Sequence, residues 1–230
     1  MARDFNGTNE RLSFGTDASV DGFTTLTVAF YVAVDTANTR WLIGKGSGFW
    51  AAWSVVLTSA TFPMIINLLS AWSGANARWS QVTGSVATAG VVYQLVITYD
   101  NTSTTNDPVF YLNGAVVAQT ELTAPSGSVT SDAGETLAAG ENTAGGNDFD
   151  GRFQHLIYDS RAWDAGQVNR HRWWGRPDGA TAVNHPLLTS KLANEGTATA
   201  DGTATGTTMA SMATPVQRPG SVLMGLGVGW

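Results

Sequence analysis

The sequence predicts an all-β fold: an antiparallel β-sandwich (jelly roll) with one short helix and an extended C-terminal tail. Three observations predict it. Apolar residues alternate with small or polar residues in many short segments, which is the period of a β-strand. Only 13% of the 230 residues are charged, against about 25% in an average domain. Thr and Gly are abundant and suit strands and turns, and only one segment carries the signals of a helix.

The strongest strand signals fall at residues 26–34, 91–99 and 153–158. In the first, large apolar residues alternate with small or polar ones, so one face is expected to be buried. The second, VVYQLVITY, indicates a more fully buried strand, and the third, FQHLIY, follows the turn signal Asp150-Gly151. Shorter strands are expected at residues 2–5, 11–14, 40–45, 52–58, 63–69, 78–82 and 136–139.

Two local signals are more specific. Residues 107–118 read as a hairpin, because Asn113 and Gly114 stand between apolar runs and both tolerate a positive φ angle. Residues 164–174 read as the helix, with Asp164 as its N-cap.

Composition excludes several classes of protein. The net charge of −6 argues against a general nucleic-acid binder, which needs a positive field. The chain has no Cys, so thiol catalysis, Cys-bound zinc and disulfides are excluded, and assembly in a reducing compartment is expected. No apolar run approaches the ~20 residues of a membrane span. The first residues lack the pattern of a secretory signal, so none is expected.

Three paired segments carry a family resemblance: DFNG (4–7) with RLSF (11–14), YQLVITYD (93–100) with YLNG (111–114), and FDGRF (149–153) with LIYDSRAW (156–163). Their order and spacing resemble the concanavalin A-like, laminin-G-like jelly-roll superfamily over about residues 1–175. Tyr93 stands where Trp is usual in that family. The resemblance implies a sandwich in which the third pair returns to the core before a helical turn.

The trailing segment at residues 189–219 resembles that of members encoded by tailed bacteriophages, which are usually virion-associated. This resemblance implies a non-enzymatic virion structural protein, most specifically a capsid decoration or cement protein held by contacts with the major capsid protein or other virion subunits. A homo-oligomer is expected in a virion assembled in the host cytoplasm; a trimer is one plausible form, although the sequence gives no stoichiometry. The alternative is a carbohydrate-binding, lectin-like module of the virion for host-surface attachment.

Three regions are expected along the chain: the sandwich at 1–175, a low-complexity segment or small lobe completing the sandwich at 176–219, and an apolar, glycine-rich tail at 220–230. We expect the tail to pack into a groove on another subunit, because exposed apolar segments favour association. Its contact residues would be Val222, Leu223, Met224, Leu226, Val228 and Trp230. The tail could instead return to its own sandwich as a last strand.

The helix region is locally basic and aromatic. Arg170, Arg172, Trp173 and Trp174 lie together there, and Arg and Trp are enriched at interface hot spots. They form a second candidate surface for a partner subunit. The competing interpretation is a solvated helix face, with intramolecular ion pairs such as Arg161 with Asp159.

Four tryptophans in the middle of the chain, Trp50, Trp53, Trp72 and Trp79, form a candidate glycan platform. Sugar rings bind on exposed aromatic faces beside polar groups. The competing interpretation is that these side chains fill the core between the sheets.

Catalytic and zinc-binding patterns are absent from the sequence. Glycoside hydrolysis needs two carboxylates in one cleft, and the nearest match, Asp148 and Asp150, is better explained as a turn. No enzyme activity and no cofactor are therefore expected. The histidines lack the spacing of zinc ligands; His155 is expected to be a hydrogen-bonded sheet residue and His171 to lie on the helix surface.

Calcium is the ion that the loops could hold, because it binds Asp and Asn oxygens. The candidate ligands are Asp100, Asn101 and Asp107 in one loop, or Asn147, Asp148 and Asp150 in another. Turn formation explains both groups more simply.

Overall fold

The computed structural model describes residues 2–16, 18, 21–22, 24–50, 52–82, 86–174, 203–205 and 208–210, with only the backbone described for Ala2, Trp173, Trp174 and the residues at 203–205 and 208–210. This part of the chain is an all-β sandwich with one short helix, as the sequence predicts. The strands are β1 Ala2–Asn6, β2 Arg11–Gly15, β3 Thr25–Val34, β4 Arg40–Lys45, β5 Trp53–Thr58, β6 Ile65–Ser70, β7 Ala77–Gln81, β8 Val92–Asp100, β9 Val109–Leu112, β10 Ala115–Val117, β11 Gln119–Thr123, β12 Leu137–Ala139, β13 Asp150–Asp159, β14 Thr203–Thr205 and β15 Thr208–Ala210. The helix α1 is Ala165–Trp174.

The described strands form two antiparallel sheets that face each other. The seven-stranded sheet has the order β10-β9-β8-β3-β13-β1-β15, and the eight-stranded sheet has the order β11-β7-β6-β5-β4-β12-β2-β14. The long strands β3, β8 and β13 lie side by side, with Phe30 opposite Leu95 and Phe153 opposite Val32. This central register fixes which side chains point towards the other sheet.

The core lies between the two sheets and is rich in aromatic rings. Phe149 and Phe153 stack with ring centroids 4.4 Å apart, and Phe5 packs edge-on against both. Phe30 meets Phe153 edge-on at 5.4 Å. Because such pairs add to the free energy gained by burial, this cluster holds β1, β3 and β13 together at one end of the sandwich.

The helix α1 covers the outer face of the seven-stranded sheet. Val168 packs into a second apolar cluster whose other members are Ala29, Val96, Tyr111, Ile157 and Trp163. The Gln94 amide donates to the Val168 carbonyl at 2.9 Å, and the Tyr31 hydroxyl contacts the carbonyls of His171 and Arg172 at 2.8 and 2.6 Å. The described residues include no helix long and apolar enough to cross a membrane.

Both specific local predictions are confirmed. Asn113 and Gly114 have φ angles of 50° and 84° and join β9 to β10 as a tight hairpin. Asp164 accepts a hydrogen bond from the Gln167 amide at 2.7 Å, and the Gln167 side chain accepts one from the Asp164 amide at 2.9 Å. This reciprocal pair is a capping box, and it starts α1 one residue after Asp164.

The two histidine predictions turn out differently. His155 is a sheet residue, but it sits at a bulge in β13 with φ of 50°. The bulge breaks the period of two, so Phe153 points into the core while Ile157 points towards α1. The prediction of a surface His171 is wrong: its side chain is fully buried between α1 and the sheet, because Gln94 and Tyr31 draw this face of the helix inwards.

The C-terminal region is described only in part. Strands β14 and β15 pair with β2 and β1 and extend one edge of each sheet. The other residues after α1 lie outside the described residues, and so does the whole predicted tail, including Val222, Leu223, Met224, Leu226, Val228 and Trp230.

Candidate functional site

A cavity of about 210 Å³ opens between the two sheets at one end of the sandwich. It lies where β3 begins, where β8 and β13 end, and where β5 and β6 meet their connecting loops. The lining residues are Gly22, Thr24, Leu26, Ala52, Trp53, Leu68, Ser70, Tyr99, Asn101, Val129, Thr130, Ser131, Asp132 and Tyr158. The cavity therefore combines apolar and aromatic walls with a set of hydroxyl, amide and carboxylate groups.

Three aromatic rings form much of the wall. The rings of Trp53 and Tyr158 lie against each other, 5.1 Å apart at an angle of 33°. Tyr99 stands nearby and packs at 4.9 Å against Trp79 in the core. Burial raises the pKa of both tyrosines, and carboxylates near each one raise it further. Both phenols are therefore protonated at physiological pH.

The loop between β11 and β12 forms one rim of the cavity. It is fastened to the β6–β7 connection by backbone hydrogen bonds from Thr130 to Ala71 at 2.9 Å and from Ser73 to Ser128 at 2.8 Å. The side chains of Val129, Thr130 and Ser131 remain exposed at this rim. The rim is therefore a loop that is anchored by backbone hydrogen bonds and exposes the hydroxyl groups of Thr130 and Ser131.

A buried ion-pair cluster supports the same rim from below. The Lys45 side chain, at the end of β4, is fully buried and contacts the carboxylates of Asp21 and Asp132; the distance to Asp132 Oδ2 is 3.2 Å. The other oxygen of Asp132 accepts a hydrogen bond from the Gly22 amide at 2.6 Å. Asp132 lines the cavity, so a single lysine links its wall to the eight-stranded sheet.

The candidate glycan platform of four tryptophans is not formed as a surface. Trp53, Trp72 and Trp79 are buried in the core between the sheets, because each is on the inner face or is covered by the β11–β12 loop. Trp50 differs from them, with 39% of its surface exposed. It lies in the β4–β5 loop, two residues before Ala52 at the cavity. Trp53 contributes to the cavity wall rather than to an exposed face.

The basic–aromatic helix region contains an intramolecular ion pair and an arginine that packs against the β9–β10 hairpin. The predicted pair is confirmed: Arg161 Nη2 lies 2.6 Å from Asp159 Oδ2, and this hydrogen-bonded carboxylate raises the Arg161 pKa. Arg170 and Arg172 are half-buried, with Arg172 packed over Gly114 of the hairpin. Trp173 and Trp174 belong to α1 by their backbone. A role of this surface in binding a partner stays a prediction.

The acidic loops hold their own turns. Asp100 accepts hydrogen bonds from the Thr102 hydroxyl and amide, which lower its pKa, and Asp107 accepts one from the Trp79 indole at 2.7 Å. Asp148 lies against Glu141, while Asp150 accepts a hydrogen bond from Thr36 at 2.7 Å. In the described part of the chain, no three acidic or histidine side chains converge as a metal site. Calcium binding stays a prediction.

Two facing antiparallel sheets define a jelly-roll sandwich. The family model described as the Concanavalin A-like lectin/glucanases superfamily (Laminin_G_3) matches residues 6–169. The chain belongs to this superfamily, as the resemblance implies. No curated protein matches the sequence.

Solved structures share the fold at low sequence identity. A native heptameric SAP-like pentraxin from Limulus polyphemus is 15% identical with a TM-score of 0.59, covering 74% of this chain and 81% of that one. A putative carbohydrate binding protein from Bacteroides ovatus has 15% identity, a TM-score of 0.51 and coverages of 74% and 46%. The binding domain of Botulinum neurotoxin serotype G is 12% identical with a TM-score of 0.53, and the match covers 74% of this chain and 42% of that one. At these identities the likeness is one of fold.

Proposed function

We propose that this protein is a non-catalytic carbohydrate-binding module, and that the cavity between the sheet ends receives one sugar ring. The observation that carries the proposal is the lining itself. The rings of Trp53, Tyr99 and Tyr158 line the same cavity as the polar residues Ser70, Ser131 and Asp132. Sugar rings bind where an aromatic face meets groups that hydrogen-bond their hydroxyls.

The dimensions of the cavity support a small ligand. Drug-sized ligands occupy pockets of about 300–1,000 Å³, whereas this cavity measures about 210 Å³. A single sugar ring at the end of a glycan suits this space. The remaining sugars of the glycan would extend over the rim at residues 129–131. Trp50, exposed in the neighbouring β4–β5 loop, offers a second aromatic surface to the emerging glycan.

The arrangement of carboxyl groups supports a binding rather than a hydrolytic role. Glycoside hydrolases hold two carboxyl groups at least about 5 Å apart in the substrate cleft. Among the described residues that line the cavity, Asp132 alone carries a carboxyl group.

The virion role stays a prediction from the sequence. It assigns the protein to a phage particle, as a capsid decoration or cement protein or as a host-attachment module. Carbohydrate binding is compatible with the second of these placements. The heptameric state belongs to the pentraxin, and an oligomer of this chain is likewise a prediction.

Binding to a panel of immobilised glycans tests the proposal. Ser131→Trp places a large side chain on the exposed rim of the cavity, and Thr8→Trp makes the same kind of change on the exposed β1–β2 turn, at the opposite end of the sandwich. We expect the wild type and Thr8→Trp to bind the same glycans with dissociation constants in the micromolar-to-millimolar range, and Ser131→Trp to lose at least tenfold in affinity. Equal binding by all three would refute the cavity as the site, and binding by none would refute the function.

A further inference from the structure

We infer that the cavity selects an uncharged sugar ring and rejects the corresponding acidic sugar. This inference rests on the proposed carbohydrate-binding function and adds the class of ligand. Its basis is the placement of charged groups around the cavity. Among the described lining residues, Asp132 is charged and none is Lys, Arg or His.

The ion-pair cluster beneath the rim leaves an excess of negative charge. Among the described residues, it contains the two carboxylates of Asp21 and Asp132 and the ammonium group of Lys45. Lys45 is fully buried and contacts both carboxylates. These three described groups together carry one net negative charge, and Asp132 lies at the cavity wall.

Further carboxylates surround the aromatic wall. Asp107, Glu121 and Asp100 all act on the Tyr99 side chain and raise its pKa, in that order of strength after burial itself. Asp132 and Asp21 do the same to Tyr158. Carboxylates therefore lie near both of the tyrosines that line the cavity. These charges would repel a carboxylate on the ligand, whereas hydroxyl groups carry no charge to be repelled.

The repulsion is large enough to measure. In a partly desolvated site the effective dielectric constant is far below that of water, so one like charge several ångströms away costs about a factor of ten in affinity. Charge-assisted hydrogen bonds from arginine or lysine are a strong way to offset the desolvation of an acidic ligand. Arg78 on β7 is not among the residues that line the cavity. Its side chain points to the outer face of the sheet and donates hydrogen bonds to Asn67 at 3.1 and 3.2 Å.

Matched pairs of sugars test this inference directly. Methyl glycosides of glucose, galactose and mannose are titrated beside those of the corresponding uronic acids, in which a carboxylate replaces the hydroxymethyl group. For the sugar that binds best, we expect the neutral form to bind at least tenfold more tightly than its acid. The ratio should shrink as salt is raised, because salt screens the repulsion.

Two aspartate variants provide the charge control. Asp21→Asn removes one carboxylate from the cluster and keeps a side chain of the same size, and the neutral-to-acidic ratio should fall at least threefold. The affinity of this variant for the neutral sugar reports whether the cavity keeps its shape. Asp35→Asn makes the same change at the far end of β3, where Asp35 pairs with Arg152, and should leave the ratio unchanged. The salt series on the wild type gives an independent readout.

Each outcome has a definite meaning. A neutral preference that weakens with salt and in Asp21→Asn supports the inference. Equal or tighter binding of the uronic acid overturns the inference while the carbohydrate-binding function stands. If no sugar of either kind binds at millimolar concentration, the proposed function fails, and the selectivity fails with it.

Discussion

The ammonium group of Lys45 lies 3.2 Å from the carboxylate of Asp132, and this contact joins β4 to the loop that forms the cavity rim. Lys45 has no exposed side-chain surface, whereas Asp132 faces the cavity. A buried cation of this kind is costly to place without partners, and its two carboxylates offset that cost. The shape of the cavity therefore depends on a charge cluster that a ligand does not need to contact.

Removal of the buried ammonium group should destabilise the fold strongly. Lys45→Met leaves Asp21 and Asp132 close together without a cation, and breaking a buried pair costs about 3 kcal/mol or more. Urea unfolding at pH 7 measures this change. The exposed pair of Asp35 with Arg152, 3.0 Å apart, is the control, because Asp35→Asn should cost less than about 1 kcal/mol. Similar losses in the two variants would contradict the account of the cluster.

His171 should make the protein less stable in mild acid. Burial lowers the pKa of His171 to about 3, below its unfolded value of about 6.5. Its Nδ1 accepts from the Gln94 amide, 3.0 Å away, so a protonated ring would face another donor. The neutral form is the folded form, and its stabilisation is complete above pH 6.5 and is lost as the pH falls towards 3.

The expected slope from this histidine is at most about 1.4 kcal/mol per pH unit. Urea midpoints measured from pH 7.5 to pH 4.5 test it. His171→Gln should be less stable than the wild type at pH 7.5, and the difference should shrink as the pH falls. A constant difference across this range would show that His171 does not titrate with unfolding.

Glu141 should have the opposite effect on stability. Burial raises the pKa of Glu141. The hydrogen bond from the Gly146 amide lowers it by less, and the neighbouring Asp148 raises it further. A raised pKa means that the folded state favours the protonated form, so stability falls as the pH rises from the unfolded value of about 4.3 through the folded one. Glu141→Gln keeps the acceptor for Gly146 and should raise the free energy of unfolding at pH 7 but not at pH 3. Urea unfolding of the wild type and Glu141→Gln at the two pH values tests this prediction. A lower free energy of unfolding for Glu141→Gln at pH 7 would contradict it.

The capping box should contribute measurably to the helix. Asp164→Ala removes the acceptor for the Gln167 amide at 2.7 Å and should cost about 1 kcal/mol. Asp164→Asn retains the acceptor and should cost less, so the pair separates hydrogen bonding from charge. Thermal unfolding of both variants is the measurement, and equal effects would assign the stabilisation to charge alone.

The parts of the fold that could be predicted from sequence are those with local causes. The alternation at residues 26–34 predicts β3 to within a residue, and Asn113-Gly114 predicts the hairpin because both residues accept positive φ. Strand β11, QTELT, was not predicted, since it is an exposed edge strand with no apolar face. The bulge at His155 was also not foreseen, because it depends on pairing with β3.

The site was less predictable, because its residues meet only in three dimensions. Tyr99 and Tyr158 lie in segments that read as strands, and nothing local shows that both border one cavity. Lys45 carried a signal that could have been used: it ends the apolar run Trp41-Leu42-Ile43-Gly44, where a charged residue needs a partner. Three of the four tryptophans proposed as a platform are core residues, so Trp53→Ala tests packing as much as ligand binding.

Nuclear magnetic resonance of the tryptophan indole groups tests the central claim most directly. The wild type, labelled with ¹⁵N, is titrated with the neutral sugar that binds best. We expect the Trp53 indole signal, assigned with Trp53→Phe, to shift and saturate with the sugar. The signal of Trp41, which is buried on the outer face of the eight-stranded sheet, should stay in place. A shift of the Trp41 signal with an unchanged Trp53 signal would place the sugar on that outer face and contradict the account.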